Sequence, residues 1–352
     1  MRRKRFARVA AAVLSLAMLS ACGKNTDAPA ADTATPSATA VPRTVFAMDT
    51  VMELTPYGAA AEEAGALAEA RIQELEALLS VTQEGSDIYA VNHSGGQAVQ
   101  VSEDTAALLE YALRVCQQTD GALDVSIYPV VKAWGFTTGE YQVPDAETIQ
   151  ALLAHVDYSA VEFQPEARTV TLPEGMEIDL GSIAKGYTGD QVMEIFREQG
   201  VTSAFISLGG NVQVLGSKPD GSAWRIGIQN PQGVGNAGVL EVVDQAVITS
   251  GGYERYFEQD GETYWHIIDP ETGAPVKNGV ISVTVVGDSG TLCDALSTSL
   301  FILGAERAAE YWRTYGGFDY VMIMEDGEIR ITQGLADCFT CSSGWELTVI
   351  AP

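Results

Sequence analysis

SAFISLGGNVQVLG, residues 203–216, decides the fold class. Apolar and β-branched residues run on either side of Gly209-Gly210-Asn211, which reads as strand bounded by turn residues. Four more β-rich runs follow: WRIGIQ (224–229), VLEVVDQAVIT (239–249), TYWHIID (263–269) and ISVTVVG (281–287). Helical spacing lies mostly to either side of this block. Residues 61–79 carry Ala64, Leu67, Ala68, Ile72, Leu75, Leu78 and Leu79 on one face, and 104–118 carry Leu108, Leu109, Ala112, Leu113 and Cys116. Pro144-Asp145 starts a helix over 145–155, and another over 183–199 stops at Gly200. Helices return over 291–303 and 305–315, and DYVMIMEDGEIRIT (319–332) reads as a hairpin turning at Asp326-Gly327. Helices and strands do not alternate regularly. The expectation is therefore α+β, one large region of mixed or antiparallel sheets with flanking helices over 44–352.

Charge narrows the partners. Twenty Lys and Arg face 47 Asp and Glu, a formal net charge of −27. Phosphate backbones demand basic patches, so nucleic acid is excluded as a partner. An anionic ligand would need a local exception, such as a metal ion or a helix N-terminus. MRRKRFAR (1–8) followed by the apolar VAAAVLSLAMLSA (9–21) reads as an export signal. Leu19-Ser20-Ala21-Cys22 resembles a bacterial lipobox. That resemblance implies cleavage after residue 21 and a diacylglycerol anchor on Cys22, holding the protein on the extracytoplasmic side of a bacterial membrane. Residues 22–43, rich in Ala, Thr, Pro and Ser, read as a disordered tether. Cys116 and Cys293 fall in apolar helical patterns and are expected as buried thiols. Cys338-x-x-Cys341 lacks the second pair that zinc would want, and fits either a local disulfide or two free thiols.

Four segments could carry chemistry. TDGALDVSIYPVVKAWGF (119–136) gathers Asp124, Tyr128, Trp134 and Phe136, either as walls for a flat ligand or as core packing. EIDLGSIAKGYTGD (177–190) reads as a short strand ending at Asp179-Leu180, then glycines bracketing Lys185 before a helix. Such a junction lets backbone approach a phosphate. This is not a P-loop, because the G-x-x-x-x-G-K-[ST] order is missing. His266 is one of three histidines and is expected in a strand before an Asp-Pro-x-x-Gly turn, with Asp269 and Thr249-Ser250-Gly251-Gly252 near it. In TLCDALSTSL (291–300), Asp294 and Thr298 share a helix face, which by itself suits an N-terminal carboxylate and a core hydroxyl.

Together these segments resemble one family. AMDT (47–50), DGALDVSIYPVVKAWGF, IDLGSIAKGYTGD, SLGGNVQVLG, TSGGYERYF, HIIDPETGAPV and DALSTSLFILG match, in order, the ApbE family of FAD:protein FMN transferases. The resemblance implies a magnesium-dependent enzyme that splits FAD, leaves FMN phosphoester-linked to a threonine of a target protein and releases AMP. It implies Asp294, Thr298, the Ala184 carbonyl and the backbone oxygen of Ser297 as magnesium ligands, consistent with the hard oxygen donors that Mg²⁺ prefers. Met48, Ala122, Leu123, Asp124, Gly181, Tyr187, Ile268 and Asp269 match positions around FAD, with Lys185 and His266 at the reacting phosphate and His266 as general base. The implied acceptor is a flavin-bearing subunit of a membrane redox complex, modified near a Ser/Thr-Gly-Ala-Thr segment. Thr82 stands where many members carry a flavin-contacting tyrosine, and Tyr89 is out of register to replace it. DCFTCSSGW (337–345) has no counterpart in the family pattern. Two other functions share these residues: an FAD pyrophosphatase releasing FMN and AMP, and a non-catalytic flavin-binding lipoprotein.

Overall fold

The computed structural model describes residues 39–352. The signal, Cys22 and most of the expected tether lie outside them. The frame is a nine-stranded sheet whose spatial order follows chain order: β1 (Arg43–Ala47), β2 (Thr50–Pro56), β3 (Ala204–Leu208), β4 (Asn211–Leu215), β5 (Ala246–Gly251), β6 (Val280–Gly287), β7 (Asp319–Met324), β8 (Glu328–Thr332) and β9 (Glu346–Ile350). Neighbours through β8 are antiparallel, and β9 joins β8 in parallel. It is a meander into which longer segments are inserted.

Period-two alternation sorts the side chains. Ala246, Ile248, Val283, Val285, Tyr320 and Met322 face a helical layer. Val247, Val286, Val321 and Ile323 face a second, three-stranded sheet made of 224–229, 236–242 and 339–341. At the β1 end, Val45, Ala47, Met52 and Leu54 pack on helices, while Phe46 and Val51 on the opposite face are exposed. Fully burying such a side chain contributes roughly 1.5–3 kcal/mol.

Four long helices matter: α1 (Ala61–Leu79), α2 (Glu103–Gln118), α3 (Gly181–Glu198) and α4 (Gly290–Tyr315). α3 and α4 cross through glycines. A Cβ on Gly186 would lie 2.6 Å from the Asp294 Cβ and collide with the Gly290 carbonyl. Asp190 of α3 fixes the crossing: its carboxylate accepts from the Gly290 N–H (2.6 Å), the Thr291 N–H (2.9 Å) and the Thr291 and Ser289 hydroxyls. A carboxylate suits these unsatisfied amides at a helix start. Gly304, at φ 73°, breaks α4 where two helices were expected, and Asn278 Nδ2 donates to the Phe301 carbonyl freed there.

Several expectations need correction. Residues 177–180 form no strand, and α3 begins at Gly181, so Ala184, Lys185 and Gly186 sit on its first turns and not in a loop. The strand at TYWHIID ends at Trp265, leaving His266 just beyond it. Residues 39–43, expected as tether, already engage the sheet: Ala40 pairs with Tyr57, and Val41 N–H donates to Pro56 O at 3.0 Å. Cys116 and Cys293 are buried, and Cys338 and Cys341 are free thiols. DCFTCSSGW supplies the third strand of the second sheet and leads into β9.

Candidate active site

A cavity of about 640 Å³ opens where the inserted segments meet one end of the sheet. Two tight turns form part of its wall: Met48-Asp49 between β1 and β2, and the turn between β3 and β4, which contributes Gly209 and Asn211. Met48 and Asp49 both hold positive φ (50° and 57°), which a two-residue hairpin loop of this type requires and non-glycine residues adopt at a cost. Glu76 of α1 holds the strained turn by accepting the Met48 N–H at 2.7 Å.

Opposite, the α3–α4 crossing brings Ala184, Lys185, Asp294 and Thr298 to the wall. Asp294 Oδ2 accepts the Gly186 N–H at 2.8 Å, and Thr298 Oγ1 lies 3.1 Å from Ser250 Oγ on β5. Burial pushes the Asp294 carboxyl above its ordinary range, opposed by Lys185 and the Gly186 amide. Asp179 is likewise raised by burial, against the Gly181 amide, Lys185 and Arg255. Glu254 is deep in the cleft but open to its solvent, and the surrounding protein pushes its carboxyl up to about 7. Lys185 thus stands among three carboxylates, Asp179, Glu254 and Asp294, with Arg255 as the other cation facing the first two. Such a wall favours an added cation.

His266 also lines the cavity. Its Nδ1 and its backbone N–H both meet the Arg255 carbonyl at 3.1 Å. A carbonyl only accepts, so the imidazole carries its proton on Nδ1 and keeps a lone pair on Nε2. Burial lowers its pKa to about 4, reinforced by Arg255 and Lys185, so the ring is neutral at pH 7. The Arg255 guanidinium donates to the Phe136 carbonyl at 3.2 Å, and the Phe136 ring stands edge-on to His266.

Of the residues named from sequence, Met48, Ala122, Leu123, Asp124, Gly181, Ala184, Lys185, His266, Ile268, Asp294 and Thr298 share this wall. Three do not. Tyr187 lies two residues past Lys185, roughly 200° around the helix, and its hydroxyl donates to Asp104 at 2.7 Å. Ser297 is fully buried, with its hydroxyl on Ser250 (2.7 Å) and the Asp294 carbonyl (2.9 Å). Asp269 is tied into its own turn, accepting the Glu271 N–H at 2.9 Å. Asp124 reaches the wall, but its carboxylate is already engaged by Ser126 (2.8 and 2.6 Å) and the Tyr158 N–H (3.1 Å). Thr82 lines the cavity, whereas Tyr89 stacks on His93 away from it.

Sequence reasoning passed over Asp179, Asn211 and Glu254. Asn211 is buried, its Nδ2 has no hydrogen-bond partner, and it lies beside Asp294, whose charge it favours. Its signal was present in the Gly-Gly-Asn turn, but only the pairing of β3 with β4 aims that turn at α4.

The profile of the ApbE family matches residues 48–322. The chain belongs to the ApbE family. It is 36% identical over 283 residues to the FAD:protein FMN transferase of Treponema pallidum (strain Nichols), covering 76% of this chain and 78% of that protein. It is 38% identical over 265 residues to that of Klebsiella pneumoniae (strain 342), covering 74% and 82%. Among solved structures, the ApbE protein of Thermotoga maritima superposes with a TM-score of 0.80 at 30% identity, over 84% of this chain and 98% of that one. The apo flavinyl transferase ApbE of Pseudomonas stutzeri gives 0.77 at 28% identity, over 87% and 98%. The ApbE fold accounts for the α+β architecture expected from the sequence.

Proposed function

We propose that this chain transfers FMN from FAD to a threonine hydroxyl of an acceptor protein, releasing AMP, with magnesium as the required metal. One observation carries the reading: Asp294, Thr298 and Ala184 share a cavity with Lys185 and a neutral His266 whose Nδ1 is engaged. The Asp294 carboxylate and the Thr298 hydroxyl are hard oxygen donors that fit magnesium, which also leaves positions for phosphate oxygens; the Ala184 carbonyl, the third donor, would have to be shared with the Thr188 hydroxyl that it accepts at 2.7 Å. Bound there, magnesium supplies the positive charge that polarises the pyrophosphate.

The chain's own residues orient the substrates and move the proton. Met48, Ala122, Leu123 and Ile268 offer apolar contact to the flavin nucleotide, and Gly181 an exposed backbone. Lys185 balances phosphate charge, and the buried Asn211 amide beside Asp294 favours that carboxylate's charged form. The acceptor oxygen bonds the FMN phosphorus while the bond to the bridging oxygen breaks. AMP departs with that electron pair, and the hydroxyl proton passes to His266 Nε2. The negative charge that FAD brings raises the proton affinity of His266 from its depressed value of about 4, towards that of a useful base.

The lipobox-like Cys22 supports an extracytoplasmic, membrane-anchored enzyme acting on a flavin-bearing subunit of a membrane redox complex. The test incubates the full chain with FAD, magnesium and an acceptor protein bearing a Ser-Gly-Ala-Thr segment. AMP and covalent FMN in equal amounts are expected. AMP with only free FMN would replace transfer by hydrolysis, and no AMP would leave a flavin-binding protein.

A further inference from the structure

We propose that the free edge of β1, with the Phe46–Val51 pair, is the docking site for an extended segment of the acceptor polypeptide. The inference rests on the transferase reading, which requires a protein as second substrate.

Three features converge on this hairpin. The first is backbone chemistry. β1 ends the nine-stranded sheet, and no described residue pairs with its outer edge. The two-residue turn closes on Ala47 and Thr50, so Ala47, Val45 and Arg43 occupy the hydrogen-bonded positions opposite β2. Thr44 and Phe46, between them, direct their N–H and C=O groups away from β2, a ready template for one more strand. The second is the side chains. Phe46 and Val51 are directly opposite across the hairpin and are 73% and 54% exposed. The second sheet, which covers the same face of β4 to β8, does not reach them. The third is continuity with the cavity. The strand that carries Phe46 runs straight into Met48-Asp49, the turn lining the cavity, and Glu76 fixes that turn from behind. A polypeptide paired along β1 therefore emerges at the cavity rim, where its next residues can carry a hydroxyl inward. An apolar side chain of that segment on the same face would meet Phe46, with Val51 behind it on β2, and main-chain bonds would supply sequence-tolerant affinity.

Two variants of the full chain test this. Phe46→Asp removes the apolar anchor, and Thr44→Pro deletes an outward N–H on an edge strand, where proline is tolerated. Both are assayed with the Ser-Gly-Ala-Thr acceptor, with FAD affinity and melting temperature measured on the same preparations. The expected result is a KM for the acceptor raised about tenfold or more, as for a truncated interface anchor, with FAD affinity, melting temperature and kcat at saturating acceptor unchanged. An unchanged acceptor KM in folded variants would overturn the proposal. So would light scattering that shows a wild-type dimer split by Phe46→Asp with the acceptor KM intact, since the edge would then serve a second copy. If the wild type forms no covalent FMN product while binding FAD, the transferase reading itself falls, and this inference with it.

Discussion

Gly186→Ala is the sharpest test of how the site is held. The new Cβ would stand 2.6 Å from the Asp294 Cβ and 2.6 Å from the Gly290 carbonyl carbon. Carbon atoms prefer about 3.5–4.0 Å, so the two helices must part by about 1 Å. Overpacking of this kind costs roughly 1–3 kcal/mol. The gain in helix propensity, about 0.8–1.0 kcal/mol for alanine over glycine, offsets part of it. Stability should therefore fall by about 0–2 kcal/mol, or roughly 2–4 °C per kcal/mol in a chain of this size or somewhat less. Catalysis should suffer more, because the same displacement lengthens the 2.8 Å bond from Gly186 N–H to Asp294 and moves the carboxylate away from Ala184 and Lys185. A misplacement of about 1 Å can cost about a hundredfold in rate. Gly65→Ala is the control. The atoms nearest its Cβ belong to the Arg43 side chain (2.7 and 2.8 Å), which must shift within its pairs with Glu62 and Glu69, so any loss of stability should leave the rate of transfer unchanged. Thermal melts and single-turnover FMN transfer on both variants decide the matter. If Gly186→Ala melts at or above wild type and transfers at the wild-type rate, the close crossing does not position Asp294.

Other expectations follow from the same cavity. His266→Asn should lose about a hundred- to ten-thousand-fold in single-turnover transfer while FAD titration is unchanged; a folded variant with the wild-type rate would remove His266 as base. Asp294→Ala should abolish magnesium binding, measured by calorimetry, and Thr298→Val should weaken it less, since only one neutral oxygen is lost. Because burial depresses His266 to about 4, protonation favours the unfolded chain. Its stabilising contribution is full above about 6.5, the unfolded value, and is lost as pH falls towards 4. Melting curves across this window should show wild type losing ground to His266→Asn as pH drops, and parallel curves would contradict the assignment. Cys22→Ala should move the protein out of the membrane fraction without loss of transfer, and equal retention would reject the anchor.

Local sequence determined the element types. Apolar spacing set α1 and α2 within a residue or so, Gly304 marked the break in α4, and Asp326-Gly327 marked the β7–β8 turn, because each depends on periodicity or on a backbone preference carried by one residue. That Asp294, Lys185 and His266 belong to one site was legible too from the ordered motifs, and all three line the same cavity. What needed the tertiary structure was direction and neighbourhood. Tyr187 and Ser297 belong to the right motifs but turn to other partners, because helix rotation separates residues adjacent in sequence. Glu254 and Asn211 gain their meaning from Lys185 and Asp294, 69 and 83 residues away in the chain. β1 and β2 were invisible because five- and seven-residue strands beside an Ala/Thr-rich stretch give little periodic signal. Sequence specifies which groups can do chemistry, whereas pKa, tautomer and free edge are set by burial and by hydrogen bonds between distant residues, which exist only once the sheet and the helix crossing have formed.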